Sequence, residues 1–249
     1  MLQQAIKESE QNGGDSVTVL NLFDRTMKAS PKDADISNMK AMYMKLKGMP
    51  DDSVNAAFEH TLSIEPDNNM ARVKLIQDKW DKKKWDEVIS LSTAGTQYNP
   101  DDMVFYYFLG LGYFQKDDDD RALDALKRGV GEINDRTDPD IASDFYGSMG
   151  AILLKKKRQE EAFEAYDNSP KWKEDNIVVL NNYAYYLSEL RRDLKRAEQM
   201  SFKTVQAEPT NSTYLDTYAW ILFLQKRYDE ARAYIDRALE NDNDSTNEI

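Results

Sequence analysis

Two residue types that build many active sites are almost missing from this chain. It has no cysteine and a single histidine, His60, among 249 residues. The lack of cysteine excludes disulfides, thiol catalysis and cysteine-bound metals. With no second histidine to share a metal or a proton, a surface or packing role is the favoured interpretation of His60. Phosphate-binding loops, serine-hydrolase motifs and zinc-protease motifs are absent as well. We therefore predict that the protein is not an enzyme and has no metal or cofactor.

Long apolar runs and an excess of positive charge are missing too. No apolar stretch approaches the roughly 18 residues of a membrane span, so we predict no membrane insertion by this segment. The net charge of −12 argues against nucleic acid and anionic membrane surfaces as partners. The N-terminus lacks the basic and apolar regions of a signal peptide. Both ends look cut, and we expect a fragment of a longer repeat protein.

What the chain does contain is a repeat of about 34 residues. It is clearest in two consecutive segments, LNNYAYYLSELRRDLKRAEQMSFKTVQAEPTN and LDTYAWILFLQKRYDEARAYIDRALENDN. Ala184 in the first segment matches Ala219 in the second, and Ala197 matches Ala231. A fixed period of this size is typical of stacked helical hairpins. The predicted units are residues 1–34, 35–68, 69–102, 103–142, 143–176, 177–211 and 212–245.

This pattern resembles the tetratricopeptide repeat family. The last unit fits seven of eight characteristic positions in register, with Leu215, Tyr218, Ala219, Leu222, Ala231, Ile235 and Ala238. The resemblance implies an all-α fold, a right-handed superhelical solenoid of about seven antiparallel helix-turn-helix repeats with an incomplete first repeat. It also implies that the partner is a protein or peptide.

In this family, the first helices of successive repeats line a concave groove through positions 2, 5, 9, 12 and 13. The resemblance therefore implies a partner-binding groove lined by Tyr43, Leu46, Trp80, Tyr107, Leu111, Phe114, Leu154, Asn181, Tyr185, Asp216, Trp220 and Phe223. Asn182 is a candidate donor to a peptide backbone. The alternative is that several of these rings pack between helices. A clamp for chaperone C-termini is not expected, because the family's lysine at position 5 is absent.

Three segments depart from the regular pattern. Gly129 to Asp140 contains six extra residues, which a longer second helix and a turn at residues 137–139 would absorb. Pro170 predicts an early end of its helix, since proline clashes with the preceding turn. The acidic run Asp117 to Asp120 suggests a cation site or, as we favour, the capped start of a helix.

Several stretches, among them YYFLGLGYFQKDDDDRALDALKRGV, resemble a group of larger repeat proteins from Bacteroidetes. That resemblance covers the whole chain and implies a lipoprotein-type export signal and a periplasmic or outer-membrane-associated location, while a cytoplasmic location stays open. The leading hypothesis is a protein-interaction scaffold at the cell envelope. The alternative is a structural spacer or self-association arm that uses Ile235 and Leu239 of the uncapped last repeat. Ala231→Leu is expected to be severely destabilising, since overpacking a close helix contact is costly.

Overall fold

The computed structural model describes residues 4, 6–8, 16–134 and 137–246. No strand occurs among these residues, and the prediction of an all-α fold is confirmed. None of their helices combines the length and apolar character that a membrane crossing requires. The helices are α1 (Ser16–Ala29), α2 (Ala34–Leu46), α3 (Asp51–Ile64), α4 (Asn69–Asp81), α5 (Trp85–Tyr98), α6 (Met103–Gln115), α7 (Asp119–Gly131), α8 (Pro139–Lys155), α9 (Gln159–Trp172), α10 (Ile177–Glu189), α11 (Leu194–Ala207), α12 (Ser212–Leu224) and α13 (Tyr228–Thr246).

The helices form two compact units, Met1–Glu132 and Ile133–Ile249, each of which contains several repeats. From here on, first unit and second unit mean these two. In the first unit the hairpins are α2–α3, α4–α5 and α6–α7, and in the second they are α8–α9, α10–α11 and α12–α13. Turns of three or four residues join the two helices of each hairpin. Such short links make the two helices antiparallel. Within each unit, neighbouring hairpins also pack on one another.

Polar side chains mark where the first helix of a hairpin begins. Asp33, Asn68, Asn176 and Asn211 each accept a hydrogen bond from the backbone N–H three residues further on. Such a bond satisfies one of the N–H groups that a helix start leaves without a partner. The capping residue therefore locates the start of each hairpin more sharply than the apolar pattern does.

The hairpin α2–α3 begins one residue earlier than the sequence pattern predicts for the repeat at residues 35–68. Because Asp33 caps it, α2 starts at Ala34. It has 13 residues, as do α4, α6, α10 and α12, so the additional residue lies in the turn that follows. Gly48 in that turn has a φ of 64°, a left-handed conformation that glycine adopts without strain. Every residue of α2 is thereby shifted by one repeat position.

Two irregular segments also differ from their predicted structure. The helix α7 is not lengthened but ends at Gly131, and the additional residues lie in the connection and in the 17-residue α8. Pro139 is the first residue of α8. Proline is tolerated there because the backbone N–H that it lacks would have no partner within the helix. Residues 135 and 136 lie outside the described residues. Pro170 does not cut α9 short but lies in its last turn, and the helix continues to Trp172.

The core of each unit runs between the helices of its hairpins. In the first unit Phe58 and Leu75 are buried together, and Phe105 is buried with Ile76 of the preceding hairpin. In the second unit, Tyr166 is fully buried and stacks on a neighbouring tyrosine ring. The side chains left at the surface of the first helices are the ones available to a partner.

Candidate partner-binding surface

The predicted groove residues of α2 have different environments. Tyr43 is 3% exposed, and its ring centroid lies 5.9 Å from that of Phe23, so it belongs to the core. This placement corrects the predicted one, and the shift of α2 by one position is the reason. Leu46 remains at the surface and is 66% exposed. Met42, which occupies the repeat position assigned to Tyr43, is also exposed.

The other predicted residues of the first unit are half-buried: Trp80, Tyr107, Leu111 and Phe114. Trp80 contacts Trp85 edge-on, with ring centroids 5.0 Å apart, and Phe108 at 6.1 Å. These contacts join α4, α5 and α6. Trp80 therefore packs between helices, as the alternative interpretation of the aromatic residues supposes.

In the second unit, α10 supplies three of the predicted residues. Asn181 is 5% exposed, which places it in the interior and not in an open groove, and this corrects its predicted position. Its Oδ1 atom has no hydrogen-bond partner among the described residues. Asn182 is half-buried, as is Leu154 of α8. Among the predicted residues of this helix, Tyr185 is the exposed one, at 40%.

Tyr185 connects α10 to the next hairpin electrostatically. Its pKa is raised by partial burial first and then by Glu189, Tyr186 and Asp216. Asp216 is thus the charge of the next hairpin, on α12, that contributes to raising the pKa of Tyr185.

The predicted residues of α12 meet at one cavity between α12 and α13. It has a volume of about 410 Å³ and is lined by Asp216, Ala219, Trp220, Phe223, Tyr228, Ala231, Arg232 and Ile235. A second cavity of about 300 Å³ shares Asp216 and Ile235 and extends to Leu239 and Asp242. We call the two cavities together the C-terminal crevice. It follows α13 over about three helical turns, from Tyr228 to Leu239, given 3.6 residues per turn.

Three aromatic rings form one wall of the C-terminal crevice. Trp220 and Phe223 stack with centroids 5.6 Å apart and planes 12° from parallel. The ring of Tyr228 lies 5.4 Å from that of Phe223. Trp220, Phe223 and Tyr228 are 37%, 49% and 56% exposed. Rings that hold one another in place lose little conformational entropy when a partner covers them.

Two charges of opposite sign lie in the crevice, and an ion-pair network fixes the turn beside it. Asp216 is exposed on α12, and Arg232 is exposed on α13, where its Nε lies 3.9 Å from Asp236. At the turn, Arg227 donates to Glu230 at 2.6 Å and to Glu198 of α11 at 2.5 Å. These two hydrogen bonds raise the pKa of Arg227. The turn that carries Tyr228 is therefore tied to the preceding hairpin.

The preceding hairpin shows how the corresponding surface is covered inside the chain. There α12 packs against both α10 and α11, and Ile221 is buried with Leu187 and Ala197. Five of the corresponding positions are occupied there by buried residues, Asn181, Ala184, Ser188, Ala197 and Ser201, whereas Tyr185 at the position of Trp220 is 40% exposed. In the last hairpin the same positions line an open cavity. The crevice is therefore the surface of the last hairpin that corresponds to the face of the preceding hairpin on which α12 packs.

Sequence reasoning missed two residues of this site, Tyr228 and Arg232. Both belong to the second helix of the repeat, whereas the family's groove positions lie on the first helix. The sequence signal that could have revealed Arg232 is its spacing from Ile235 and Leu239. Residues 232, 235 and 239 lie on one face of α13, so a surface that includes Ile235 and Leu239 also includes Arg232. In the structure Leu239 is 56% exposed and Ile235 is half-buried.

Two residues that the sequence offers as candidates for metal or cation binding, His60 and Asp118, make hydrogen bonds within the fold. His60 is exposed, and its Nδ1 lies 2.9 Å from the Ser37 hydroxyl. Asp118 caps α7, accepting from the Arg121 backbone N–H at 3.1 Å and from its Nε at 2.6 Å. The capping interpretation of the acidic run is thereby confirmed for Asp118. Within the described ranges, no three histidine or acidic side chains are arranged to hold a metal ion.

Comparisons with known proteins support the repeat architecture. Residues 212–245 match the family model of the tetratricopeptide repeat. PilF of Pseudomonas aeruginosa has a TM-score of 0.63 at 16% identity, over 86% of this chain and 93% of its own. A chain of the APC/C hetero-tetramer Cut9–Hcn1 has a TM-score of 0.67 at 15% identity, over 96% of this chain and 45% of its own length. YrrB, described as a TPR protein with an unusual peptide-binding site, has a TM-score of 0.56 at 12% identity, over 74% of this chain and 92% of its own length. The last hairpin, which holds the crevice, thus matches the tetratricopeptide repeat in sequence, and the chain shares the helical-repeat fold of these structures.

Proposed function

We propose that this protein is a non-enzymatic interaction scaffold that binds a partner protein, with the C-terminal crevice as its main binding site. The single observation that carries the proposal is the stacked, exposed pair Trp220 and Phe223 beside an open cavity of about 410 Å³. Tryptophan, tyrosine and arginine dominate the binding energy of protein interfaces. The crevice presents all three in one place.

The shape of the site supports a helical ligand. A helix lays an apolar face into a groove through residues at positions i, i+3 or i+4, and i+7. The preceding hairpin already receives α12 in this way, with Ile221 as a buried contact. Tyr185 of α10, which is 40% exposed, is part of the proposed surface outside the crevice. A location at the cell envelope remains part of the proposal and rests on the sequence resemblance.

Photo-crosslinking in cells that express the protein naturally tests this function. A benzoyl-phenylalanine replaces Phe223 in one variant and Phe202 in the control, because Phe202 is similarly exposed, at 40%, but lies on α11 outside the crevice. We expect a defined protein adduct at position 223 and none at position 202. Fractionation of the adduct between membrane and soluble material tests the location.

Alanine at Trp220 provides the matching loss-of-function variant. We expect Trp220→Ala to abolish the adduct at position 223 while the helical melting curve stays nearly unchanged, because the ring lies at the surface. Equal crosslinking at positions 202 and 223, or no adduct at either position, would overturn the proposed function.

A further inference from the structure

We infer that one edge of the second unit binds an acidic protein segment through three unpaired cations, Lys157, Arg191 and Lys226, which we call the basic edge. They lie in the turns of three consecutive hairpins, α8–α9, α10–α11 and α12–α13. None of the three lines the C-terminal crevice. The basic edge is therefore a second docking surface and goes beyond the proposed function.

The cations of the basic edge occupy positions where the backbone is left-handed. In every hairpin of the described chain, the residue two positions after the end of the first helix has a positive φ. In α2–α3 that residue is Gly48, whereas φ is 58° at Lys157, 48° at Arg191 and 66° at Lys226. Lysine and arginine are strained in this conformation, because they have the Cβ atom that glycine lacks. Such strain is concentrated at functional sites, so cations at positions that suit glycine point to a role beyond folding.

The three side chains of the basic edge are exposed and free to bind an anion. They form no ion pair or side-chain hydrogen bond with any other described residue. Their arginine neighbours are paired instead. Arg192 contacts Glu160 of the preceding hairpin at 2.8 Å, and Arg227 contacts Glu198. Because those charges are neutralised within the chain, the basic edge is the part of these turns that is left for a partner.

Hydrogen bonds between consecutive hairpins place the three turns side by side. Arg192 donates to Glu160 in the first turn of α9. One hairpin further on, Gln225 donates to the backbone oxygen of Leu194, the first residue of α11, at 3.1 Å. The first helices of these hairpins also pack on one another, α8 on α10 and α10 on α12. Packed helices lie about 8–10 Å apart, so the three cations follow one another at about this interval.

This interval favours an acidic protein segment over a nucleic acid. An extended peptide rises about 3.3 Å per residue, so carboxylates at every third residue lie about 10 Å apart and match the three cations. A nucleic acid strand carries one phosphate per about 3.4 Å, which is a much denser row of charge. Its phosphates would also meet the exposed carboxylates beside the basic edge, Glu160 and Glu230. A peptide can place uncharged residues there, and the net charge of −12 further disfavours a dense polyanion.

Fluorescence anisotropy of the whole chain with a short labelled peptide tests the inference. The peptide carries glutamate at every third residue, separated by serine and glycine. A second peptide has glutamine at the same places. At low ionic strength, where surface charges are least screened, we expect the glutamate peptide to bind about tenfold more tightly than the glutamine peptide.

Glycine variants separate binding from folding, because glycine removes the cation and the backbone strain together. The triple variant Lys157→Gly, Arg191→Gly and Lys226→Gly should bind both peptides equally, while its melting temperature stays the same or rises. Lys83→Gly is the matched control. Lys83 is an exposed cation with a φ of 54° at the same position of α4–α5, but it belongs to the first unit, where the next turn has Asp117 at this position. The control should keep the full preference for glutamate.

Four results would overturn the inference. The first two are equal binding of the two peptides by the wild type and a triple variant that keeps the preference for glutamate. The third is a triple variant with a lower melting temperature, since the cations would then serve the fold. The fourth is a single-stranded DNA of equal charge that binds more tightly than the glutamate peptide. The crosslinking test at position 223 is independent of all four, so the function of the crevice stands or fails separately.

Discussion

A close contact between two hairpins of the first unit, that of α5 with the Phe105 ring of α6, depends on the absence of a side chain at Gly95. A Cβ atom added there would lie 2.3 Å from both Cγ and Cδ1 of Phe105 and 2.8 Å from its Cε1. Phe105 is fully buried in a cluster with Ile76 and Val88, so its ring cannot swing into solvent. We therefore predict that Gly95→Ala destabilises the protein.

The size of the effect follows from two opposing contributions. Carbon atoms normally approach to about 3.5–4.0 Å, so the ring or α5 must move by more than about 1 Å. Overpacking of this kind costs about 1–3 kcal/mol. Alanine in place of glycine inside a helix gains up to about 1 kcal/mol. We expect a net loss of about 1–2 kcal/mol in the free energy of unfolding.

Urea unfolding followed by circular dichroism measures this difference, and the chain offers a matched control. Gly131 is also helical, but a Cβ there would meet no atom within 4 Å, so Gly131→Ala should leave stability unchanged or slightly higher. In a Phe105→Leu background, Gly95→Ala should cost less than in the wild type, because the smaller side chain relieves the clash. If Gly95→Ala is as stable as Gly131→Ala, the packing of α5 on α6 described above is wrong.

Two more predictions concern the second unit. Ala197 is fully buried in a cluster with Ile221 of the next hairpin, so we expect Ala197→Leu to lower the unfolding free energy by about 1–3 kcal/mol. Ala231 is also buried, at 7% exposure, but it lines the open crevice, so we expect Ala231→Leu to be much milder in thermal melting, contrary to the expectation from the sequence alone. Equal losses would refute this. The buried hydroxyl of Tyr166 has no hydrogen-bond partner among the described residues, so Tyr166→Phe should be neutral or stabilising by about 1 kcal/mol. Burial, and then Tyr186 and Tyr183, raise the pKa of Tyr166 above its unfolded value of about 10. The contribution of the neutral Tyr166 side chain to stability is therefore fully present below about pH 10 and falls as the pH rises further. If Tyr166→Phe loses as much stability as the wild type at alkaline pH, this reasoning is wrong.

The hairpin architecture was predictable because its signals are local and repeated. A polar cap such as Asn68 or Asn211, followed by an apolar helical pattern, marks the start of a hairpin in each repeat. The error at Tyr43 arose because a period does not show where an extra residue is inserted. The turn that contains Gly48 is one residue longer than the turn after α4, and this difference alone moves Tyr43 from the predicted groove to the core.

The candidate site was harder to predict, because exposure depends on what packs next to a helix and not on the helix itself. Asn181 and Asp216 occupy the same position in consecutive repeats, yet Asn181 is buried and Asp216 is exposed. The repeat position tells which side of the helix a residue faces, whereas the neighbouring hairpin decides whether that side is covered. Trp80 shows the same effect among aromatic residues, since contacts with Trp85 and Phe108 take up the ring at a groove position.

Side-chain size does not distinguish a covered repeat position from an open one. Ser188 and Ser201 are small and fully buried in the hairpin that α12 covers. Tyr166 is large and stands at the position that Ile235 occupies in its own hairpin, yet it is fully buried and stacks on Tyr183 of the next hairpin. Trp80, at the position of Phe223, likewise contacts Phe108 of the next hairpin. The presence of a neighbouring hairpin, and not the size of the facing side chains, therefore decides whether a repeat position is covered.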